Sequence, residues 1–209
     1  MATLSCEPRT TAVLFVECQN GLLGDTSKMK SIAEAARPVV PNMGRLARGA
    51  RDAGVQVVHL TFSPVANNRS SNRRPPLFKR LNDSLAEWTA DHHDVQPVPE
   101  IGVGPADLIL TRHSGMSPTY GTETYKLLRN MGIETVVLAG ISANVAIPVA
   151  ATEAADEDFE VVIASDAVAG APVEHVESMM KYTLPFIATL MTVDGLLAEW
   201  GVSAQAGRL

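Results

Sequence analysis

Cysteine is nearly missing from this sequence of 209 residues, which holds only Cys6 and Cys18. Two cysteines in a chain of this size do not make a disulfide framework, so both are read as free thiols. Long apolar runs are missing too. No stretch approaches the roughly 20 residues needed to span a bilayer, which argues against a membrane partner. The opening MATLSCEPRTT has neither the basic nor the apolar region of a secretory signal, and a cytoplasmic location is the expectation. A basic face is lacking as well: 17 Lys and Arg stand against 23 Asp and Glu, for a formal charge of −6, which disfavours a nucleic-acid partner. Arg69, Arg73 and Arg74 form the one small basic cluster, suited to a solvated loop or a small anionic substrate. CxxC, HExxH and Gly-rich phosphate loops do not occur, and His92 and His93 are adjacent rather than at ligand spacing. No metal and no cofactor are expected.

What is present fits one compact α/β domain over residues 1–209, with 46% hydrophobic and 19% charged residues. Short apolar runs alternate with longer amphipathic stretches, the pattern of βαβ units and a parallel sheet. Strands are predicted at 12–18, 55–61, 108–111, 135–139, 160–164 and 187–191. Each is rich in Val, Ile or Leu, as strands covered on both faces require. Helices are predicted near 31–53, 122–131, 145–156, 173–184 and 194–200. The segment 63–104 breaks this rhythm with Pro64, Pro75, Pro76, Pro97 and Pro99, and a long irregular insertion of this kind suits a lid or a subunit-contact arm.

Open parallel sheets bind ligands beyond the carboxyl ends of their strands. Three segments deliver polar residues to that edge: Glu17 and Gln19, then Arg112 and His113, then Ser142 and Asn144. Glu17 ends the run AVLFVE, where a charge costs several kcal/mol unless it is paired or reaches the surface. Arg112 suits the holding of a carboxylate in a bidentate fork rather than proton transfer. Histidine as a residue type can act as acid or base near neutrality, which makes His113 a competing candidate.

Four segments carry a resemblance to a known family: AVLFVECQNGLLGD at 12–25, DLILTRHSGMSPTYGTET at 107–124, GISANVAIP at 140–148 and EVVIASDAVAG at 160–170. In order and approximate spacing the chain resembles the isochorismatase-like (cysteine hydrolase) family. The resemblance implies a three-layer α/β/α sandwich with a six-stranded, mainly parallel sheet in the order 3-2-1-4-5-6. It also implies a catalytic acid, cation and thiol, usually Asp, Lys and Cys, at the positions held here by Glu17, Arg112 and Ala146. His113 is an alternative for the cation, because one extra residue precedes the element Tyr120, Gly121 and Thr122. A cis peptide is implied between Ile141 and Ser142, and the backbone N–H groups of Ser142 and Ala146 would form an oxyanion hole.

Gln19, His113, Tyr120, Ile141, Ser142 and Asn144 complete the implied substrate site, Asn144 being also suited to cap the following helix. The zinc of some relatives needs histidines in the loop after the second strand, and TFSPVANNRSSNRR at 61–74 has none. Alternation along the first strand turns Cys18 away from a cleft that Glu17 faces. The partners implied are a small-molecule substrate and further copies of the chain, as a dimer or tetramer, with 145–151 and 184–197 as contact segments. Three readings of function stand. Glu17 protonates a vinyl ether whose carboxylates Arg112 and the loop arginines hold; Glu17 activates water against an amide or similar carbonyl; or the protein is a non-catalytic relative that binds a metabolite or partner in the inherited pocket.

Overall fold

Six apolar runs become six strands in the computed structural model, which describes residues 6–65, 67–81, 85 and 87–202. They are β1 (Thr11–Val16), β2 (Gln56–Phe62), β3 (Leu108–Arg112), β4 (Thr135–Ile141), β5 (Glu160–Ala169) and β6 (Thr189–Met191). Every neighbouring pair is parallel, and the order is β3-β2-β1-β4-β5-β6, as the resemblance implied. The helices are α1 (Asn20–Leu23), α2 (Lys30–Ala36), α3 (Val40–Ala53), α4 (Pro76–Leu81), α5 (Thr124–Asn130), α6 (Ala146–Asp156), α7 (Val173–Tyr182) and α8 (Val193–Glu199).

Strand periodicity divides the core in two. Val13, Phe15, Val57, Val137 and Val162 point to the face packed by Met43, Leu46 and Ala50 of α3 and Leu196 and Leu197 of α8. Leu14, Val16, Val58, Leu138 and Ile163 point to the opposite face, against Leu128 of α5 and Ile147, Ala150 and Ala154 of α6. Each such aliphatic side chain contributes about 1.5–3 kcal/mol when fully removed from water. No helix among the described residues is long and apolar enough to cross a membrane.

Several boundaries differ from the sequence expectation, each for a local reason. The single helix predicted over 31–53 is two. Pro38 follows Arg37, the C-cap of α2, where its missing N–H and its ring stop the helix from continuing, and Pro41 lies in the first turn of α3, where proline is tolerated. β1 ends at Val16 rather than Cys18 because Glu17 takes a left-handed φ of 54°. β5 continues to Ala169 through a register shift against β4 between Leu138 and Gly140. Gly140 stands where the chain needs it: its φ is 107°, and a Cβ there would lie 2.3 Å from the Val16 carbonyl oxygen and 2.7 Å from Cys18 Sγ. β6 is shorter than predicted, since Ile187 and Ala188 both donate back to the Leu184 carbonyl in a helical turn.

The 63–104 insertion is packed into the core rather than standing off the sheet. Leu85, Trp88, Val95, Val98 and Ile101 are buried on the face covered by α3. A polar clamp fastens its far end. Arg51 of α3 donates to the carbonyls of Ile101 and Gly102 at 3.0 and 3.1 Å and pairs with Asp107 at 2.7 Å. Asp107 also accepts from Gly104 N at 2.8 Å and from Nε2 of the buried His59 at 2.9 Å.

Candidate active site

β1 and β4 lie side by side with Val16 opposite Gly140, so Glu17 and Ile141 leave the sheet together at its carboxyl edge. Glu17 donates its backbone N–H to Leu60 O at 2.9 Å, and its left-handed backbone turns the side chain out of the strand register. That carboxylate is 16% exposed and forms an ion pair with Nη2 of Arg112, whose own side chain is 6% exposed. Arg112 comes from β3, two strands away across roughly 10 Å of sheet, and its length closes the gap. Its guanidinium lies over the Phe62 ring, 4.9 Å from the centroid, and Nε donates to Gly115 O at 3.3 Å. The third nitrogen, Nη1, is buried without a partner among the described residues. Buried pairs of this kind are stable only when geometry and extra hydrogen bonds offset desolvation. Phe62 and Gly115 supply that support, and nothing in the sequence distinguished them beforehand.

The 141–146 loop arrives from β4. Its Ile141–Ser142 peptide is cis, at the bond the resemblance indicated. Ala143 N donates to Ala169 O at 2.8 Å, and Val145 N and Ile147 N share Ser142 O at 3.1 and 3.0 Å. The N–H groups of Ser142 and Ala146 have no acceptor among the described residues. Ala146 is the first residue of α6 and is buried, so a methyl group and the unpaired N–H of a helix start occupy this corner.

Other residues named from the sequence fall elsewhere. Gln19 is fully buried, and its amide is consumed by backbone: Nε2 donates to Phe62 O and Val95 O, both at 2.9 Å, and Oε1 accepts from Phe62 N at 2.8 Å. It ties the insertion to β2 and has no polar atom left for a substrate. Ile141 packs its side chain in the core, leaving only its backbone at the site. Asn144 does not cap α6. The cap position is Val145, while Asn144 Nδ2 turns to Ala171 O at 2.8 Å. His113 is exposed and donates from Nδ1 to Ser63 O at 2.6 Å; Arg112, and not His113, meets Glu17. Tyr120 is 82% exposed, with its N–H held by Ser117 Oγ at 2.8 Å, and makes no bond to the ion pair.

Cys18 is buried on the opposite side of the sheet edge, its sulfur 4.0 Å from Met43 Sδ. Burial first, and the nearby Glu17 charge second, push its thiol far above the ordinary range, so a nucleophilic thiolate does not form there. Among the described residues no three His, Cys, Asp or Glu side chains converge as metal ligands. A cleft of about 530 Å³ opens elsewhere, walled by Asn20, Lys30, Glu34, Arg37, His93 and Glu100, and it includes none of Glu17, Arg112 or Ala146. Chemistry, rather than hollow volume, locates the candidate site.

Comparison with known proteins bears on the family and the fold. The isochorismatase domain profile matches residues 11–195. The isochorismatase family protein YwoC of Bacillus subtilis is 25% identical over 95% of this chain and 98% of its own length. The phenazine biosynthesis protein PhzD1 of Pseudomonas aeruginosa is 25% identical over 94% and 89%. The crystal structure of a cysteine hydrolase from Pseudomonas syringae superposes with a TM-score of 0.82 at 18% identity, covering 96% of this chain and 97% of that one. With a family profile spanning nearly the whole sheet and a solved relative sharing its architecture, the chain belongs to the isochorismatase family, a family of hydrolases.

Proposed function

We propose that this protein hydrolyses a small, anionic carbonyl compound of the amide or imide type without a protein nucleophile, using Glu17 to activate water. The observation that carries the reading is the Glu17–Arg112 ion pair beside a helix start whose first side chain is a methyl group. Resemblance places the family's thiol at Ala146, which has no atom able to attack. The guanidinium fixes the carboxylate in place, and a carboxylate oxygen so held can accept a proton from a bound water. The water oxygen then bonds to the carbonyl carbon, and the displaced electron pair becomes an oxyanion facing the N–H groups of Ser142 and Ala146. As the C–N bond breaks, the proton held by Glu17 passes to the leaving nitrogen. Arg112 Nη1, buried and unpaired, is suited to a carboxylate oxygen of the substrate, with Arg73 and Arg74 exposed on the neighbouring loop.

The test is a panel of amides, imides, N-carbamoyl acids and 1-carboxyvinyl ethers, assayed with wild type beside Glu17→Gln. Turnover that falls at least 10²-fold in Glu17→Gln is the expected result; equal turnover refutes the carboxylate mechanism. Mass spectrometry of the enzyme during turnover is expected to find no acyl adduct. A flat panel combined with ligand-induced thermal shifts would instead support a non-catalytic binder. We also infer a homo-oligomer, supported by the exposure of Phe186, at 90%, within the 184–197 segment.

A further inference from the structure

The insertion reaches the ion pair through a line of hydrogen bonds. Asn72 Oδ1 accepts from Gly115 N at 2.6 Å, Gly115 O accepts from Arg112 Nε at 3.3 Å, and Arg112 Nη2 holds Glu17. Around this line the two segments are laced together: Ser63 N donates to Arg112 O at 3.0 Å, His113 Nδ1 to Ser63 O at 2.6 Å, and Ser70 Oγ to His113 O at 2.8 Å. We infer that Asn72 is a positioning residue for Glu17, acting through Gly115 and Arg112 to set where the carboxylate stands. The inference rests on the reading of Glu17 given above, and it assigns the irregular insertion a part in the reaction.

Two features make Asn72 matter beyond ordinary loop packing. Gly115 has a φ of 89°, and a Cβ placed there would meet nothing closer than 3.9 Å, so the residue that anchors Arg112 Nε is sterically loose and conformationally the most permissive kind. Without an acceptor on its N–H it has little to fix it. The Arg112 Nε bond is already at the long end of hydrogen-bond distance, so a shift of a few tenths of an ångström at Gly115 removes it. The guanidinium would then pivot on Phe62, and Glu17, at the far end of the line, would move with it. Displacements of that size at a reacting group cost turnover more than binding.

The substitutions Asn72→Ala and Asn72→Asp test this, the second keeping an acceptor oxygen at the same reach. On the panel substrate whose turnover Glu17→Gln abolishes, Asn72→Ala is expected to lower kcat about tenfold with KM within about twofold. Asn72→Asp is expected to recover at least half of the loss. A second readout does not depend on activity. In ¹⁵N-arginine spectra the Nε–H of Arg112, assigned by its loss in Arg112→Lys, should exchange slowly with water in wild type and Asn72→Asp and quickly in Asn72→Ala. Wild-type kcat in Asn72→Ala, or unchanged Nε–H exchange in that variant, overturns the proposal. So does an Asn72→Asp protein that folds normally yet is no better than Asn72→Ala. If Glu17→Gln keeps full turnover, the mechanism fails, while the exchange measurement still decides whether Asn72 holds Arg112.

Discussion

Glu17 and Ala146 pose the chemical question at the scale of single residues. A non-glycine residue at φ 54° is held there by its surroundings, and here the surroundings are the Leu60 carbonyl and the Arg112 guanidinium. Ala146 supplies the reciprocal test. A cysteine at that position would sit at the start of α6, beside unpaired N–H groups that favour a thiolate. Ala146→Cys is therefore expected to be alkylated by iodoacetamide at neutral pH, whereas the wild-type protein, with Cys6 and Cys18 buried and both thiols pushed up chiefly by burial, is not. Peptide mapping after native alkylation distinguishes the two. Modification of Cys18 in folded wild type would contradict its placement behind the strand.

At the scale of elements, the same edge depends on β4 lying hard against the end of β1. Gly140→Ala must find room 2.3 Å from a carbonyl oxygen while holding a positive φ. The expected loss is about 2–4 kcal/mol in chemical denaturation, the range of strained and overpacked core sites, and an undiminished midpoint would refute the close approach.

The Arg51–Asp107–His59 clamp makes a second element-level prediction. Burial lowers the His59 pKa below its ordinary 6.5, outweighing the upward pull of Asp107. The unfolded chain therefore binds that proton first as pH falls, and the stability associated with His59 is lost below pH 6.5 toward the depressed folded value. Asp107 is also lowered, through Arg51, Gly104 and His59 against its desolvation, and its contribution is lost only below 3.8. Thermal midpoints should fall between pH 6.5 and 5, and His59→Gln, which still offers Asp107 a donor, should flatten that slope. A slope unchanged in His59→Gln would assign the effect to other groups.

The whole molecule adds assembly. Val173, Tyr182 and Phe186 are exposed along α7 and the turn after it, and α7 itself has no fully buried residue. If this side supplies the inferred contact, Phe186→Asp should shift sedimentation toward the monomer while leaving the Glu17 site intact. A wild-type protein that sediments as a monomer at all concentrations removes the oligomer from the proposal.

Much of the architecture could be read from the chain alone, because a run such as VVHLT or TVVLAG has only one economical place, a strand covered on both faces, whereas the break that Pro38 and Pro41 impose on 31–53 was missed. Composition and periodicity likewise placed Glu17, Arg112 and the 141–146 loop at one edge. Side-chain destinations were not legible. Gln19 looks like a ligand contact in a list of polar residues, yet backbone groups claim its whole amide, and Asn144 gives its Nδ2 to Ala171 O while its Oδ1 is buried without a partner among the described residues. Asn72 gave no signal, since its partner, Gly115, lies 43 positions away. The sequence by itself determined the parallel sheet and the residue types at its carboxyl edge, since these follow from local pattern, and its strand order was legible through the family resemblance. Only the tertiary structure decided which cation meets Glu17 and what holds that cation in place, because hydrogen bonds between distant segments depend on distances of tenths of an ångström that no periodicity encodes.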